Sequence, residues 1–222
     1  MVYSFPVQTI VLAQEKDLPA AARRAAEAIV SGGLICLPYA GAYRLVADFT
    51  NTDSVISLMQ SKRRVRPAPA LVFIANEAQI AEVAEHVDPL ALRVARALWP
   101  QPLTVRLQPR GDLPNALRKQ LGGKKARVGV RVPAEDLMRG VIDAAGRPLI
   151  VSSANRQTKT GDTSPAQVRK NFANIVEMFF DDGDLEHGPT STVIDVVDGE
   201  IVIERAGAIP VETVRAAAAR AP

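Results

Sequence analysis

Short apolar runs of strand length recur along this chain with amphipathic helical stretches between them, and that alternation confines it to helices packed on a sheet. Residues 34–38, 43–49, 70–74, 103–107, 126–132, 149–152, 176–180, 192–197 and 201–204 read as strands. Residues 19–30, 51–60, 76–87, 88–98, 136–145, 165–172 and the Ala-rich 211–220 carry helical periodicity, and Gly32-Gly33 stops the first of them. Helices between strands, closing on a strand pair, predict an α/β fold with a twisted mixed sheet and flanking helices. With 222 residues, 47% of them hydrophobic and 23% charged, the expectation is one domain over 1–222, with a core at about 21–209 and a terminal helix at 210–220.

Polar residues gather where the apolar runs end. Residues 61–66 read Ser-Lys-Arg-Arg-Val-Arg, which places four cations within five positions. Such density repels itself unless solvent or an anion screens it, so the cluster reads either as a solvated loop or as an anion site built on Lys62 and Arg64. Ser153-Ala154-Asn155 follows an apolar strand, at the carboxyl end where open α/β sheets bind ligands, and it reads equally as a side-chain-stabilised turn. Ser191-Thr192 opens another strand after Gly188-Pro189, and Arg205 precedes Gly207-Ala208-Ile209. Together these pieces describe a basic, hydroxyl-lined cavity suited to a nucleotide. No Walker lysine pattern and no GxGxxG fingerprint occurs, which rules out P-loop and Rossmann modes of binding.

Other candidates are weaker. His86, at the end of the 76–87 helix, and His187 have no companion at ligand spacing, and Asp181-Asp182-Gly183-Asp184 lacks the glutamate of a calcium loop. The lone Cys36 sits in an apolar run, so neither a disulfide framework nor a cysteine metal site is expected. A second basic stretch, Arg118-Lys119 through Lys124-Lys125 and Arg127, reads as a solvated loop or a phosphodiester contact. Residues 1–12 lack a basic leader followed by a long apolar segment, and no apolar run approaches the roughly 20 residues of a bilayer span, so a cytoplasmic protein without membrane attachment is expected.

In series, the segments resemble the YrdC-like family of threonylcarbamoyl-AMP synthases from roughly Ala21 to Ile209. The matching stretches are Ser31-Gly32-Gly33-Leu34-Ile35, Lys62-x-Arg64, Leu98-Trp99-Pro100-Gln101-Pro102-Leu103-Thr104, Val130-Arg131-Val132-Pro133, Ser153-Ala154-Asn155-Arg156, Ser191-Thr192-Val193-Ile194-Asp195 and Arg205-x-Gly207-Ala208-Ile209. The resemblance implies a basic concave cavity in which ATP, bicarbonate and L-threonine are joined into threonylcarbamoyl-AMP, a nucleotidyl transfer that releases pyrophosphate. Mg²⁺ would accompany the ATP. A threonylcarbamoyl transferase complex would then modify the adenosine beside the tRNA anticodon.

By the same resemblance Lys62 and Arg64 are the catalytic cations, Lys62, Arg64, Ser153, Asn155, Ser191 and Arg205 hold ATP, and Tyr43 and Arg44 lie at the amino-acid end. The chain departs from the family there. Where the family reads Pro-Thr-Asp-Thr-x-Tyr-Gly-Leu, this chain reads Pro38-Tyr39-Ala40-Gly41-Ala42-Tyr43-Arg44-Leu45, and Ala68-Pro69 and Gln101 replace a Lys-Pro and a glycine. Two readings follow: a synthase with a reshaped amino-acid pocket, or a paralogue without synthase activity that binds double-stranded RNA or tRNA.

Overall fold

The computed structural model describes residues 7–62, 70–123, 126–156 and 163–219. In chain order its elements are β1 (Gln8–Val11), α1 (Leu18–Val30), β2 (Ile35–Tyr39), β3 (Ala42–Asp48), α2 (Thr52–Ser61), β4 (Ala70–Phe73), α3 (Ile80–Val83), α4 (Pro89–Leu98) and β5 (Leu103–Leu107). They continue with α5 (Asn115–Gln120), β6 (Val128–Arg131), α6 (Asp136–Ala145), β7 (Leu149–Ser153), α7 (Pro165–Phe172), β8 (Met178–Asp181), β9 (Thr192–Val197), β10 (Glu200–Arg205) and α8 (Val211–Ala219). The strands form one ten-stranded sheet in the order β1-β8-β2-β3-β7-β4-β6-β5-β9-β10. Parallel pairs such as β4 with β6 and β5 with β9 are interleaved with antiparallel ones such as β3 with β7 and β5 with β6, so the sheet is mixed.

Side-chain alternation decides what each face carries. From β2, Ile35, Leu37 and Tyr39 go to one face and Cys36 to the other; from β3, Val46 joins the first set and Tyr43, Leu45 and Ala47 the second. Helices α1 and α6 cover the Tyr39 face, while α2, α4, α5, α7 and α8 cover the Cys36 face. The small side chains of Ala21, Ala22, Ala25 and Ala26 let α6 come close, and a Cβ placed on Gly140 would lie 3.1 Å from Ala22 Cβ. The apolar cluster under α1 and α6 takes nothing from β5, β6 or β9. There Val128, Val130, Leu103 and Val105 point to the Cys36 face, and alternation sends Gly129, Arg131, Thr104 and Arg106 to the opposite one, the face of Tyr39.

Helices α6 and α7 span the stretches expected, α1 and α4 differ by a residue at their starts, α2 is shifted by one residue at both ends, and α8 runs from 211 to the last described residue. The 76–87 helix does not form as one piece. A 3₁₀ turn at Glu77–Gln79 leads into the short α3, and the backbone is extended at Ala84, which bridges Pro109. Arg110 supplies the reason: its amide takes the Val83 carbonyl at 3.0 Å and its Nη1 the Ala81 carbonyl at 2.9 Å. Those carbonyls would accept from the next helical turn if the helix continued. His86 therefore lies beyond the helix rather than at its end. Both β1, with Ile10 its single buried residue, and the short basic α5 were not legible as elements.

The β2–β3 hairpin turns on Ala40 (φ 51) and Gly41 (φ 71), the left-handed pair that suits a two-residue connection. Ala40 is held there by its N–H, which donates to Glu135 Oε1 at 2.8 Å. A Cβ on Gly41 would collide with the Glu186 carbonyl and the Gly188 amide, because the turn docks on that backbone. Gly146, which ends α6, shares a positive φ (66) but has nothing within 4 Å of its added Cβ. Gly146→Ala should therefore cost only the left-handed penalty of about 1–2 kcal/mol. Gly41→Ala should cost clearly more, because backbone atoms must also move; paired thermal unfolding of the two variants measures the difference.

Candidate active site

Lys62 ends α2 and is 1% exposed, which requires a partner for each N–H. Its Nζ donates to Ser152 Oγ at 2.9 Å, to Asn155 Oδ1 at 2.9 Å and to the Ser153 carbonyl. Local sequence aims it there. Asn51 caps α2 by accepting from the Asp53 and Ser54 amides, and Ser54 Oγ donates to the Gly32 carbonyl at 2.8 Å, so the helix is anchored at its start.

At the end of β7 the pleat splits two adjacent serines. Ser152 receives Lys62 from one side, while Ser153, opposite Arg44 in the β3–β7 register, accepts from Arg44 Nη1 at 2.6 Å. Beyond the strand, the Ala154 amide donates to the Tyr43 carbonyl at 2.8 Å. The structure thus brings Lys62, Ser153, Asn155 and Arg44 together. Arg64 lies outside the described residues, as do Ala68-Pro69, Lys124, Lys125 and residues 157–162 of the loop after Asn155.

Ser191 and Arg205 form a second group, carried by the start of β9 and the end of β10. Arg205 donates to the Ser191 carbonyl from Nε at 3.1 Å and Nη2 at 2.9 Å, and to Ser191 Oγ at 3.0 Å. Thr104 Oγ1 stands 3.0 Å from the same hydroxyl. The spacing Arg205-x-Gly207-Ala208-Ile209 has a mechanical meaning. The Ala208 amide donates to the Thr190 carbonyl at 2.8 Å, Ile209 and Thr192 exchange two hydrogen bonds, and a Cβ on Gly207 would run into the Thr190–Ser191 backbone. Strands β4, β6 and β5 lie between this group and β7.

The hairpin supplies a third group. Arg131, 8% exposed, sits with its guanidinium carbon 5.2 Å from the Tyr39 ring centroid and 6.0 Å from that of Phe73. Tyr39 is 3% exposed, and burial pushes its phenol up to about 12. Arg44 Nε donates to the Tyr39 carbonyl at 3.3 Å, and burial makes its guanidinium easier to deprotonate than usual. Glu135 is exposed as a residue, but desolvation of its carboxyl raises its pKa, opposed by the Ala40 amide, Arg131 and Arg44.

Tyr43 is placed differently. Its ring is fully buried and stacked on Phe179 at 5.3 Å; its hydroxyl donates to the Gly183 carbonyl at 2.7 Å and accepts the Asp182 amide at 2.9 Å. Both functions of that hydroxyl are taken up in holding the acidic turn. Thr104 and Arg131 stood in the sequence only as members of matching stretches, without a role, and Glu135 was not singled out. The period of two in β5 and β6 was the available signal, since it sets Thr104 and Arg131 opposite their apolar neighbours.

A family model covering Sua5, YciO and YrdC proteins, described as "Telomere recombination", matches residues 27–207. The chain belongs to this Sua5/YciO/YrdC family. A threonylcarbamoyl-AMP synthase of Pyrococcus abyssi is 31% identical over 192 residues, which cover 86% of this chain and 55% of that protein. This chain thus spans about half the length of that relative. The structure of P. abyssi Sua5 complexed with L-threonine matches with a TM-score of 0.79 at 28% identity, over 96% of this chain and 61% of that one. E. coli YciO matches with a TM-score of 0.74 over 95% and 98% of the two chains; at 20% identity the likeness is one of fold.

Replacing Lys62 by Met keeps the apolar stem and removes every donor. Lys62→Met should lower the unfolding free energy by about 1–3 kcal/mol, because Asn155 Oδ1 and the Ser153 carbonyl lose the lysine as a partner. Denaturant titration reads this directly.

Proposed function

We propose that this chain forms L-threonylcarbamoyl-AMP from L-threonine, bicarbonate and ATP. The observation that carries the reading is Lys62, buried to 1% exposure with its ammonium fixed on Ser152, Ser153 and Asn155 at the carboxyl end of β7. It stands in a chain 31% identical to a threonylcarbamoyl-AMP synthase.

In this reaction the threonine amine condenses with bicarbonate to a carbamate, with loss of water. A carbamate oxygen then attacks the α-phosphorus, and the bond to the β-phosphate oxygen breaks to release pyrophosphate. All the reacting groups are anions, so catalysis is chiefly charge neutralisation and alignment. Lys62 would place one positive charge behind the Ser153-Ala154-Asn155 turn and hold it in shape for the nucleotide. Arg64, two residues on, would add a second cation. Ser191, set by Arg205 and Thr104, would line the far side. Arg44 would stand between the two ends, touching Ser153 on the nucleotide side and the Tyr39 backbone on the amino-acid side. Tyr43 would act through the turn it holds.

Mg²⁺ is part of the ATP substrate in this scheme and would spread the triphosphate charge. Among the described residues no three His, Cys, Asp or Glu side chains are grouped to hold a metal ion. Among the described residues no helix is long and apolar enough to cross a membrane. We assign the product to a transferase that modifies tRNA, and the chain to the cytoplasm. Binding of RNA without synthesis gains little from the second basic stretch: Arg127 stands 3.5 Å from Asp195, and Arg118 donates to Asn115.

Purified protein supplied with ATP, bicarbonate and L-threonine should release pyrophosphate and accumulate threonylcarbamoyl-AMP, detectable by mass spectrometry. Omission of any substrate should stop it. Lys62→Ala should lower kcat/KM by about 100-fold or more. No release with threonine or any other amino acid, alongside salt-sensitive tRNA binding, would overturn the assignment.

A further inference from the structure

Two hydroxyls and a guanidinium meet at the start of β9. Ser191 Oγ lies 3.0 Å from Arg205 Nη2 and 3.0 Å from Thr104 Oγ1. Arginine only donates, so the first contact fills one lone pair of Ser191. The second can run either way, and burial decides it. Thr104 is 5% exposed, and among the described residues its hydroxyl meets no other hydrogen-bond partner. Were Ser191 to donate to it, the Thr104 proton would be buried without an acceptor, which is unfavourable. With Thr104 donating instead, both lone pairs of Ser191 are filled. The one free proton of the pair then belongs to the half-buried Ser191.

Backbone and packing hold this arrangement. The β5–β9 register sets Thr104 opposite Val193, and the Thr192 amide donates to the Pro102 carbonyl at 2.9 Å. A Cβ on Gly129 would fall 2.7 Å from Thr104 Cγ2, so the methyl occupies the space that this glycine leaves and fixes where the hydroxyl can go. Arg205 clamps the Ser191 carbonyl as well as the hydroxyl, and it makes no ion pair among the described residues. Its charge therefore stands at the free proton uncompensated.

We infer that Thr104 is a positioning residue: by donating to Ser191 it makes that hydroxyl a donor only, committed to an oxyanion of the nucleotide phosphates. This role presupposes the adenine nucleotide of the proposed reaction. It adds which way the proton of Ser191 faces and what class of atom it can meet. A hydroxyl that already accepts from a guanidinium and a second hydroxyl is polarised as a donor, and it has no lone pair left for a ribose hydroxyl or a base amine that would donate to it.

Thr104→Val keeps the methyl over Gly129 and removes the hydroxyl, whereas Thr104→Ser keeps the hydroxyl. Both are made in the full chain, alone and combined with Ser191→Ala. Each protein is titrated calorimetrically with ATP, AMP and adenosine below its thermal midpoint. Thr104→Val should weaken ATP and AMP about five- to tenfold and leave adenosine unchanged, while Thr104→Ser stays within about twofold of wild type. On the Ser191→Ala background Thr104→Val should have no further effect, because the hydroxyl it positions is gone; a purely structural role would make the two losses multiply.

The role is overturned if Thr104→Val binds ATP as wild type does, if its loss is the same with and without Ser191, if adenosine loses as much as ATP, or if wild type binds no adenine nucleotide. A wild type that shows the coupled loss yet releases no pyrophosphate with threonine and bicarbonate would defeat the proposed reaction and leave the role of Thr104 standing.

Discussion

Lys62 and the turn that follows β7 depend on each other, and the candidate site is built on that dependence. An ammonium at 1% exposure is tolerable because its three N–H groups meet Ser152, Ser153 and Asn155. In return the turn gains a fixed shape, since one cation ties a hydroxyl, a carbonyl and an amide that would otherwise orient independently. The helix that delivers the lysine is secured at its other end by Asn51 and by Ser54 on the Gly32 carbonyl. The chain Gly32–Ser54–Lys62–Asn155 therefore transmits the position of the α1 end to the end of β7, across elements far apart in sequence.

The same economy explains which parts were readable from residues alone. Strands with continuous apolar runs, such as β4 and β7, and helices with clear caps, such as α4 behind Asp88, are specified locally. Failures occur where a distant group decides the outcome. The 76–87 helix stops early because Arg110 captures its carbonyls, and no residue within it announces that. Lys62, Ser153 and Asn155 stood out as candidates because they sit at element ends, where polar groups are conspicuous, and the structure brings them into contact. Arg131 and Thr104 were hidden inside strands, where a polar residue on alternate positions looks like an ordinary solvent-facing one. Tyr43 keeps the family pattern, and its hydroxyl holds the Asp182–Gly183 turn.

The two ends of the site are therefore in different electrostatic states. At the Lys62 end, hydroxyls, amide and ammonium are arranged as a satisfied network around Ser153, and Ser191 is likewise fixed by Arg205 and Thr104. At the hairpin end, Arg131 Nε and the Tyr39 hydroxyl are buried without a hydrogen-bond partner among the described residues. A satisfied network is rigid before ligand arrives and costs little to organise.

Arg44 couples these states. Its position in β3 sets it opposite Ser153 on β7, and its guanidinium spans from that hydroxyl to the Tyr39 carbonyl. The turn beside it is itself pinned twice, by Glu135 on the Ala40 amide and by the contact of Gly41 with the Glu186–Gly188 backbone.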